Sequence, residues 1–295
     1  MNSHWTGSIE NSFFDSEVFD RHRVNKLPEL QPNGRNNSKT YYILGVDVGR
    51  FKCTTEICVF KVTPAPTGVP IKHLVNLYSI EAEHFGMQAL FIKKIFSKYH
   101  CRAAVIDANG VGAGLVDLLV SDQIDPETNE MWYNLGVIYK DDEERKAYKK
   151  YENENTIDKA IYLMKANANL NSEMYSYCQT QMQHGKLKFL VHENIAKADR
   201  QDQASWKKKK PEARNLDLMP YVMTTALEEQ MLNMVVQNDN LNNGNIILKP
   251  ANNKTKHDRF SAFIYGLYYC KMIEDKGEKR KTRDFSQFML FSKHH

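Results

Sequence analysis

The stretch Tyr41-Tyr-Ile-Leu-Gly-Val-Asp-Val-Gly-Arg50 decides the fold class. Its near-continuous apolar run is typical of a strand that is buried on both faces. Asp47 interrupts this run with a carboxylate, and Gly49 ends it with a turn. Because a buried ionised side chain needs a partner, Asp47 is either neutralised by other residues or holds a metal ion.

More strands are predicted on both sides of this one in the sheet. Residues 54–62 and 71–81 are rich in β-branched residues and predict a meander of three antiparallel strands. The apolar run at 103–106 leads into Asp107, a glycine-rich turn and an apolar-periodic helix at 115–120. Since strand, turn and helix in this order form a crossover, this strand is expected to join the meander in parallel. The sequence therefore predicts an α/β protein with a mixed central sheet.

The remaining segments are predicted from helical spacing, turn residues and charge. Residues 1–40 read as a polar linker, within which the aromatic segment 11–19 suits docking on another surface. The other expectations are a helix at 87–99, a charged helical span at 141–183, a strand at 185–191, a loop at 192–215, a helix at 221–236, a turn and strand at 242–250, a helix from Phe260 and a tail in the last dozen residues.

Composition excludes few classes of function. The 295 residues are 42% hydrophobic and 26% charged, as in ordinary globular proteins. A net charge of +4 is too small to indicate nucleic-acid binding. Positive charge is concentrated in two runs, for which a solvated face is the ordinary explanation. These are Lys207, Lys208, Lys209 and Lys210, and then Lys276, Lys279, Arg280, Lys281 and Arg283.

The chain lacks the marks of a membrane or secreted protein. No stretch approaches the roughly 18 apolar residues of a membrane span, and the first residues do not resemble a signal sequence. We therefore expect an intracellular protein without a membrane partner. The cysteines form no C-x-x-C pair and are expected to be reduced thiols rather than zinc ligands. They are Cys53, Cys58, Cys101, Cys178 and Cys270.

Three carboxylates occupy positions at which a site can form. Asp47 lies in the first strand, Asp107 at the end of a parallel strand and Asp258 at the start of the last helix. If the strands are neighbours and the helix packs across them, the carboxylates converge. Carboxylate oxygens suit Mg²⁺ or Mn²⁺, and two such ions about 3.5–4 Å apart promote phosphodiester hydrolysis. The expected chemistry is metal-assisted hydrolysis.

Each acid also has an ordinary structural explanation. Asp258 can cap its helix, and Asp107 can accept hydrogen bonds from the glycine-rich turn. Capping is not available to Asp47 inside a strand. Two other acids, Glu56 and Asp117, are interpreted as structural or solvated.

Glycines at the start of the predicted helix 115–120 suggest a phosphate site only weakly. The spacing Gly110-x-Gly112-x-Gly114 differs from the dinucleotide-binding G-x-G-x-x-G. Nowhere does Gly-Lys precede Ser or Thr, so the sequence has no P-loop and predicts no ATP site.

Three motifs carry a family resemblance. They are Leu44-Gly-Val-Asp-Val-Gly49, Val105-Ile-Asp-Ala-Asn-Gly-Val-Gly-Ala-Gly-Leu115 and Lys256-His-Asp-Arg-Phe-Ser-Ala262. In order and context they resemble the acidic motifs of the C-terminal nuclease domain of the large terminase subunit of tailed bacteriophages, a ribonuclease H-like fold. The resemblance implies that Asp47, Asp107 and Asp258 hold two Mg²⁺ or Mn²⁺ ions, with Asp47 bridging them. It also implies weakly specific cleavage of double-stranded DNA during genome packaging.

The resemblance has implications for DNA contacts and for domain organisation. Lys256 and Arg259, beside the third acid, would contact the scissile phosphate, and the lysines at 207–210 would hold the DNA backbone. The nuclease domain would span 41–275, after a linker at 1–40 and before a basic tail at 276–295. The partners implied are an ATPase motor region, the small terminase subunit and the portal, in the cytoplasm of the infected host.

The sequence departs from the family in one respect. The full-length family subunit carries a P-loop motor, which this sequence lacks. We therefore expect a nuclease fragment or the product of a split gene, which cuts DNA without hydrolysing ATP.

Two other classes of function remain open. The segment Gly45-Val-Asp-Val-Gly49 followed by Thr54 and Thr55 also resembles the phosphate-binding hairpin of actin-like sugar kinases and ATPases. That superfamily needs a second half and a late adenosine-binding glycine motif, which are missing here. A catalytically silent packaging scaffold with the same fold is the other alternative. Binding of ATP would identify the first, and absence of a manganese-induced thermal shift would identify the second.

Overall fold

The chain folds around one large mixed sheet. The computed structural model describes residues 11–34, 37, 39–49, 54–81, 84–109, 112–237, 244–252 and 256–291, with side chains up to residue 277 in the last helix. The helices are α1 (Ser16–Arg21), α2 (Phe85–Lys98), α3 (Gly112–Leu119), α4 (Asp142–Tyr148), α5 (Ala168–Gln183), α6 (Glu193–Gln201), α7 (Ala204–Lys207), α8 (Pro211–Leu232) and α9 (Asp258–Phe291). The strands are β1 (Arg23–Asn25), β2 (Tyr41–Asp47), β3 (Thr55–Thr63), β4 (Ile71–Ile80), β5 (Ala103–Asp107), β6 (Gln123–Ile124), β7 (Met131–Trp132), β8 (Leu135–Val137), β9 (Ile157–Met164), β10 (Leu187–Leu190), β11 (Met234–Val236) and β12 (Leu248–Pro250).

Within these residues the central sheet has eight strands in the order β1-β10-β4-β3-β2-β5-β9-β8. Strands β2, β3 and β4 form the predicted antiparallel meander. Strand β5 joins β2 in parallel, and β9 and β8 continue in parallel beyond it. The predicted α/β class, with a mixed central sheet of a three-strand antiparallel meander plus parallel strands flanked by helices, is confirmed.

Strand β2 is central because both of its faces are covered. Tyr42, Leu44 and Val46 point into a core formed with α2 and α3, whereas Ile43 points into the opposite core, formed with α5, α8 and α9. All four side chains are fully buried. This explains the near-continuous apolar run, because a strand between two helical layers has no solvent face.

Gly45 allows α9 to lie directly on β2. A Cβ atom at this position would stand 2.0 Å from the carbonyl oxygen of Ala262 and 2.8 Å from the backbone nitrogen of Gly266. A Cβ on Gly266 would in turn lie 3.0 Å from the Cα of Gly45. Helix and strand backbones therefore touch, and this contact fixes the first turns of α9 relative to the end of β2.

The N-terminal segment corrects the prediction of a linker at 1–40. Helix α1 and strand β1 lie within it, and β1 pairs in parallel with β10 at the edge of the sheet. Phe14 and Phe19 are buried, and Phe19 stacks on Phe189 with 4.0 Å between ring centroids. The aromatics predicted to dock do so on the domain itself. At the other end, α9 runs past the predicted boundary at 275/276 as far as Phe291, where a tail was expected.

Two further predictions are wrong. The span 141–183 contains strand β9 as well as helices. Its apolar end is hidden because the first three residues of β9 are exposed and two of them, Asp158 and Lys159, are charged. The region 192–215 is not a loop but contains α6, α7 and the start of α8. Helix α6 buries only Ala196 and so shows no apolar stripe, although Pro211 marks the start of α8 at its first turn.

The other element predictions hold within a few residues, apart from the end of the helix predicted at 221–236. There α8 stops at Leu232, and residues 234–236 pair with β12 instead. Cys58, Cys101, Cys178 and Cys270 are buried and free, as expected, whereas Cys53 lies outside the described residues. None of the helices described here is long and apolar enough to cross a membrane.

Replacement of Gly45 by alanine tests the contact between β2 and α9. The new Cβ meets backbone atoms, which no side-chain rotation relieves, so we expect Gly45→Ala to lower the free energy of unfolding by about 3 kcal/mol or more. Gly86→Ala is the matched control, since nothing lies within 4 Å of a Cβ at position 86 of α2. That change should be neutral or stabilise by up to about 1 kcal/mol. Equal urea-denaturation midpoints for the two variants would contradict the proposed packing.

Candidate functional site

The three predicted carboxylates lie at one edge of the sheet. Asp47 is the last residue of β2 and Asp107 the last of β5, and the register pairs Val46 with Ile106 one residue earlier in both. Asp258 is the first residue of α9, which the contact at Gly45 holds against β2. In open α/β sheets ligands bind at the carboxyl ends of parallel strands, which is the end of the sheet at which these three residues lie.

The electrostatics of Asp47 report on this proximity. Burial, followed by the negative charges of Asp258, Asp107 and Glu56, raises the pKa of Asp47 to about 8. Three like charges within interaction range make ionisation of Asp47 unfavourable unless a cation joins them. The raised pKa of Asp47 thus reflects its burial first and the charges of the neighbouring carboxylates second.

Asp107 is bound to its own turn, as the structural explanation predicted. Its Oδ1 accepts a hydrogen bond of 2.9 Å from the backbone N–H of Asn109. Burial raises the pKa of Asp107, and hydrogen bonds from Asn109 and Tyr265 oppose this rise. A Cβ on Gly112 would lie 1.7 Å from the carbonyl oxygen of Asp107, so this glycine is needed for close packing of the turn. Gly110 lies outside the described residues.

The donor set suits a hard divalent metal ion. Among the described residues no three His, Cys, Asp or Glu side chains are arranged to hold a metal as they stand. However, Oδ2 of Asp258 is buried and accepts no hydrogen bond from the described part of the chain. Such an oxygen is costly unless a ligand satisfies it. Three carboxylates without nitrogen or sulfur donors fit Mg²⁺ or Mn²⁺, which prefer oxygen ligands.

A buried ion pair supports the site. Glu56 on β3 stands opposite Asp47 in the antiparallel register and is 3% exposed. Its carboxylate accepts hydrogen bonds of 2.9 and 3.1 Å from the guanidinium of Arg259, and others from the hydroxyls of Thr54 and Ser79. Because Arg259 follows Asp258, this pair ties the first turn of α9 to the sheet.

Glu56 has the structural role that is one of the two expected from the sequence, since its carboxylate is bound by Arg259. Its position beside the site follows from the hairpin, since Asp47 and Glu56 flank the turn symmetrically. Arg259 directs its guanidinium at Glu56, and its predicted contact with a phosphate stays a prediction.

Tyr265 was not predicted as a site residue. Its hydroxyl lies 3.5 Å from Oδ2 of Asp107, and the residue is on α9, seven positions after Asp258. Residues seven apart share a helix face, so this spacing is the signal that identifies it. Burial, followed by the charges of Asp107 and Asp47, raises the pKa of Tyr265.

The basic residues lie at different distances from the acids. Lys256 is exposed two residues before Asp258, and its phosphate contact stays a prediction. The lysines at 207–210 are exposed at the junction of α7 and α8, where Lys207 pairs with Asp202 and Lys209 with Asp217. Of the later basic run, Lys276 is exposed, whereas the side chains of Lys279, Arg280, Lys281 and Arg283 lie outside the described residues.

The length of α8 sets the distance from the four lysines to the acids. Gln230, near the end of α8, accepts a hydrogen bond of 2.9 Å from the backbone N–H of Phe260 in the first turn of α9. Pro211 lies nineteen positions earlier, at the start of α8. At 1.5 Å per residue, Pro211, the residue that follows the lysines, is therefore roughly 30 Å from the start of α9.

The segment that resembles the phosphate-binding hairpin of sugar kinases is described only in part, because residues 50–53 lie outside the described residues. Thr55, however, is fully buried and its hydroxyl is engaged inside the protein. It donates to Oε1 of Gln88 at 2.6 Å and accepts from the backbone N–H of Gly49 at 2.9 Å. This hydroxyl is therefore not directed at a phosphate.

Comparisons with known proteins gave matches only among solved structures. No family model and no curated protein matches the chain. The large terminase nuclease from thermophilic phage G20c with bound magnesium is 13% identical, with a TM-score of 0.45, over 88% of this chain and 97% of that one. The HK97 bacteriophage large terminase is 11% identical, with a TM-score of 0.45, over 87% of this chain and 43% of that one.

A third match is the nuclease domain of the large terminase subunit gp2 of bacterial virus Sf6. It is 8% identical, with a TM-score of 0.41, over 79% of this chain and 89% of that one. The proteins matched belong to the family that the three sequence motifs resemble. At these TM-scores the matches do not establish an activity, which depends on the chain's own site.

The raised pKa of Asp47 predicts how stability depends on pH in the absence of divalent metal. An unfolded Asp titrates near pH 4, whereas Asp47 does so at about 8 in the folded protein. The folded state binds the extra proton between these values, so stability should fall as pH rises from about 4 to about 8.

Asp47→Asn should remove this fall. Because asparagine carries no charge, the variant should be more stable than the parent by about 2–5 kcal/mol at pH 8 and nearly equal to it at pH 4. Urea denaturation in the presence of a chelator measures both. Parallel stability curves for the two proteins across this range would contradict the charge repulsion inferred here.

Proposed function

We propose that this chain is a divalent-metal-dependent endonuclease that cuts double-stranded DNA during packaging of a tailed-phage genome, as the nuclease part of a large terminase. The observation that carries the proposal is the position of Asp47, Asp107 and Asp258 at one edge of the sheet, where burial and mutual repulsion raise the pKa of Asp47 to about 8. Carboxylates that repel one another at a sheet edge are suited to binding cations.

In this proposal the three aspartates hold one or two Mg²⁺ or Mn²⁺ ions. When bound, such ions lower the pKa of water and stabilise charge on the leaving oxygen of a phosphodiester. Asp47 is fixed by a strand buried on both faces, and Asp258 by the contact of α9 with Gly45. Rigid supports of this kind keep ligands in one geometry while a substrate binds.

Other residues of the site would position these ligands and the DNA. The pair Glu56–Arg259 holds the first turn of α9, and the Tyr265 hydroxyl holds one oxygen of Asp107. The amide groups at the N-terminus of α9 favour a phosphate group nearby, because they carry the positive end of the helix dipole. Exposed Lys256, just before this helix, would contact the same phosphate.

Weak sequence specificity follows from the kind of DNA contact proposed. Pro211, the residue that follows the lysines at 207–210, is roughly 30 Å from the start of α9, a distance spanned by roughly nine base pairs of duplex at 3.4 Å each. Lysines that contact phosphates position the duplex but do not distinguish bases.

The partners and place of action rest on the motif resemblance alone. They are an ATPase motor region that supplies the DNA, the small terminase subunit and the portal, in the cytoplasm of the infected host. ATP hydrolysis would belong to the motor region, since this chain has no P-loop.

Plasmid cleavage tests the nuclease assignment. With Mg²⁺ or Mn²⁺ the chain should nick and linearise supercoiled plasmid, and Asp47→Asn or Asp258→Asn should slow this by roughly 100-fold or more, because each removes a charged ligand. Asp117→Asn is the matched control, since Asp117 is an exposed aspartate on α3. Its activity should equal that of the parent.

The outcome distinguishes the alternatives. Cleavage that persists in folded Asp47→Asn and Asp258→Asn variants would refute the assignment. An inactive parent without a manganese-induced thermal shift would favour a silent scaffold. Calorimetric binding of ATP together with hydrolysis would favour the kinase or ATPase class.

The DNA-contacting role of the basic run has a separate test. Lys208 and Lys210 form no ion pair with a described carboxylate, so we expect Lys208→Ala/Lys210→Ala to weaken duplex binding. The slope of log K against log salt should fall by about 0.9 for each phosphate that the variant no longer neutralises. Lys146→Ala/Lys150→Ala, at exposed positions in and after α4, is the control and should leave the slope unchanged. Identical slopes for both variants would indicate that the lysines at 207–210 form a solvated surface and do not contact DNA.

A further inference from the structure

A second concave site lies at the end of the sheet opposite the acids. Its volume is about 530 Å³, and it is enclosed by the start of β2, the loop between β3 and β4, the residue before β5 and the middle of α9. Tyr41 and Asp47 are the two ends of β2, so the cavity is about 20 Å from the acids at 3.3 Å per residue. A cavity of this size is in the range of small-molecule sites.

The lining of the cavity is positively charged. Lys39, Arg102 and Lys276 line it, and none of the three forms an ion pair within the described part of the chain. The acid among the lining residues is Glu274, whose carboxylate is bound by Nζ of Lys72 at 2.8 Å and by the hydroxyl of Tyr177 at 3.3 Å. Lys72 thus neutralises the charge of Glu274, and Lys39, Arg102 and Lys276 are available to bind an anion.

Aromatic rings form part of the same wall. Tyr41 and Tyr269 line the cavity and are 6% and 7% exposed, so their rings are held firmly by the core. The guanidinium of Arg102 lies over the Tyr41 ring, with its carbon 4.8 Å from the ring centroid. Stacking of this kind fixes the plane of a guanidinium and leaves its N–H groups free to bind a phosphate in two places.

We propose that this cavity binds a nucleotide, with Lys39, Arg102 and Lys276 holding the phosphate and the accessible parts of Tyr41 and Tyr269 contacting the base. Cationic side chains beside aromatic rings are the combination that recognises nucleotides without reading their sequence. The chemistry is the same for a free nucleotide and for the phosphorylated end of a DNA strand. The site is independent of the three aspartates, and no P-loop is needed because no phosphate is transferred.

Calorimetry on the full chain tests the proposal. The probes are dAMP, inorganic phosphate and a short 5′-phosphorylated oligonucleotide. Arg102→Gln and Lys276→Gln should each weaken binding of dAMP at least tenfold, and both residues are exposed, so the fold should be retained. Arg145→Gln, which neutralises an exposed arginine on α4, is the matched control. Asp47→Asn should bind dAMP as the parent does, whether or not the chain is a nuclease.

Two results would overturn the proposal. One is an affinity for dAMP that is the same in Arg102→Gln and Arg145→Gln, including no binding by the parent. The other is binding of inorganic phosphate as tight as that of dAMP, which would show that the base does not contribute to the affinity. Tighter binding of the oligonucleotide than of dAMP would assign the site to a strand end, and the reverse would assign it to a free nucleotide; both support it.

Discussion

The backbone contact between β2 and α9 is the constraint on which the rest of the structure depends. Gly45 and Gly266 let a helix lie against a strand without side chains between them. The same contact brings Asp258, at the start of α9, beside Asp47, at the end of β2. Further along, α9 passes the start of β2 and forms a wall of the basic cavity. Helix α9 thus extends from the end of the sheet that carries the three aspartates to the end that carries the basic cavity.

Charge is balanced unevenly at the acidic edge. Glu56 is neutralised by Arg259, whereas Asp47, Asp107 and Asp258 have no cation among the described residues. Burial of like charges without a counter-ion destabilises the folded state, and binding of a cation at such a site offsets this cost. The buried oxygen of Asp258 that accepts no hydrogen bond from the described residues also indicates a site for a ligand. These features favour a divalent cation over a purely structural role for the three acids.

Much of the architecture is predictable from sequence, because β2, β3, β4 and β5 carry long apolar runs and turn residues between them. Strand β9 and helix α6 were missed because each buries little along part of its length, so no period appears. The three motifs predict where Asp47, Asp107 and Asp258 lie, and the role of these residues as metal ligands stays a prediction. Glu56 and Tyr265 have a sequence signal as well, in the hairpin and in the seven-residue spacing on α9, but the contacts that they make depend on strand register and helix packing.

A crystal structure grown with Mn²⁺ and examined by anomalous scattering would show whether the three aspartates bind a metal ion. We expect an anomalous peak bonded to Asp47 and to Asp258, Asp107 or both, with manganese–oxygen distances near 2.1 Å, as for hard divalent ions. Oδ2 of Asp258, which accepts no hydrogen bond from the described residues, should be among the ligands. Manganese bound elsewhere, or no manganese bound at the three carboxylates, would show that Asp47, Asp107 and Asp258 do not form a metal site.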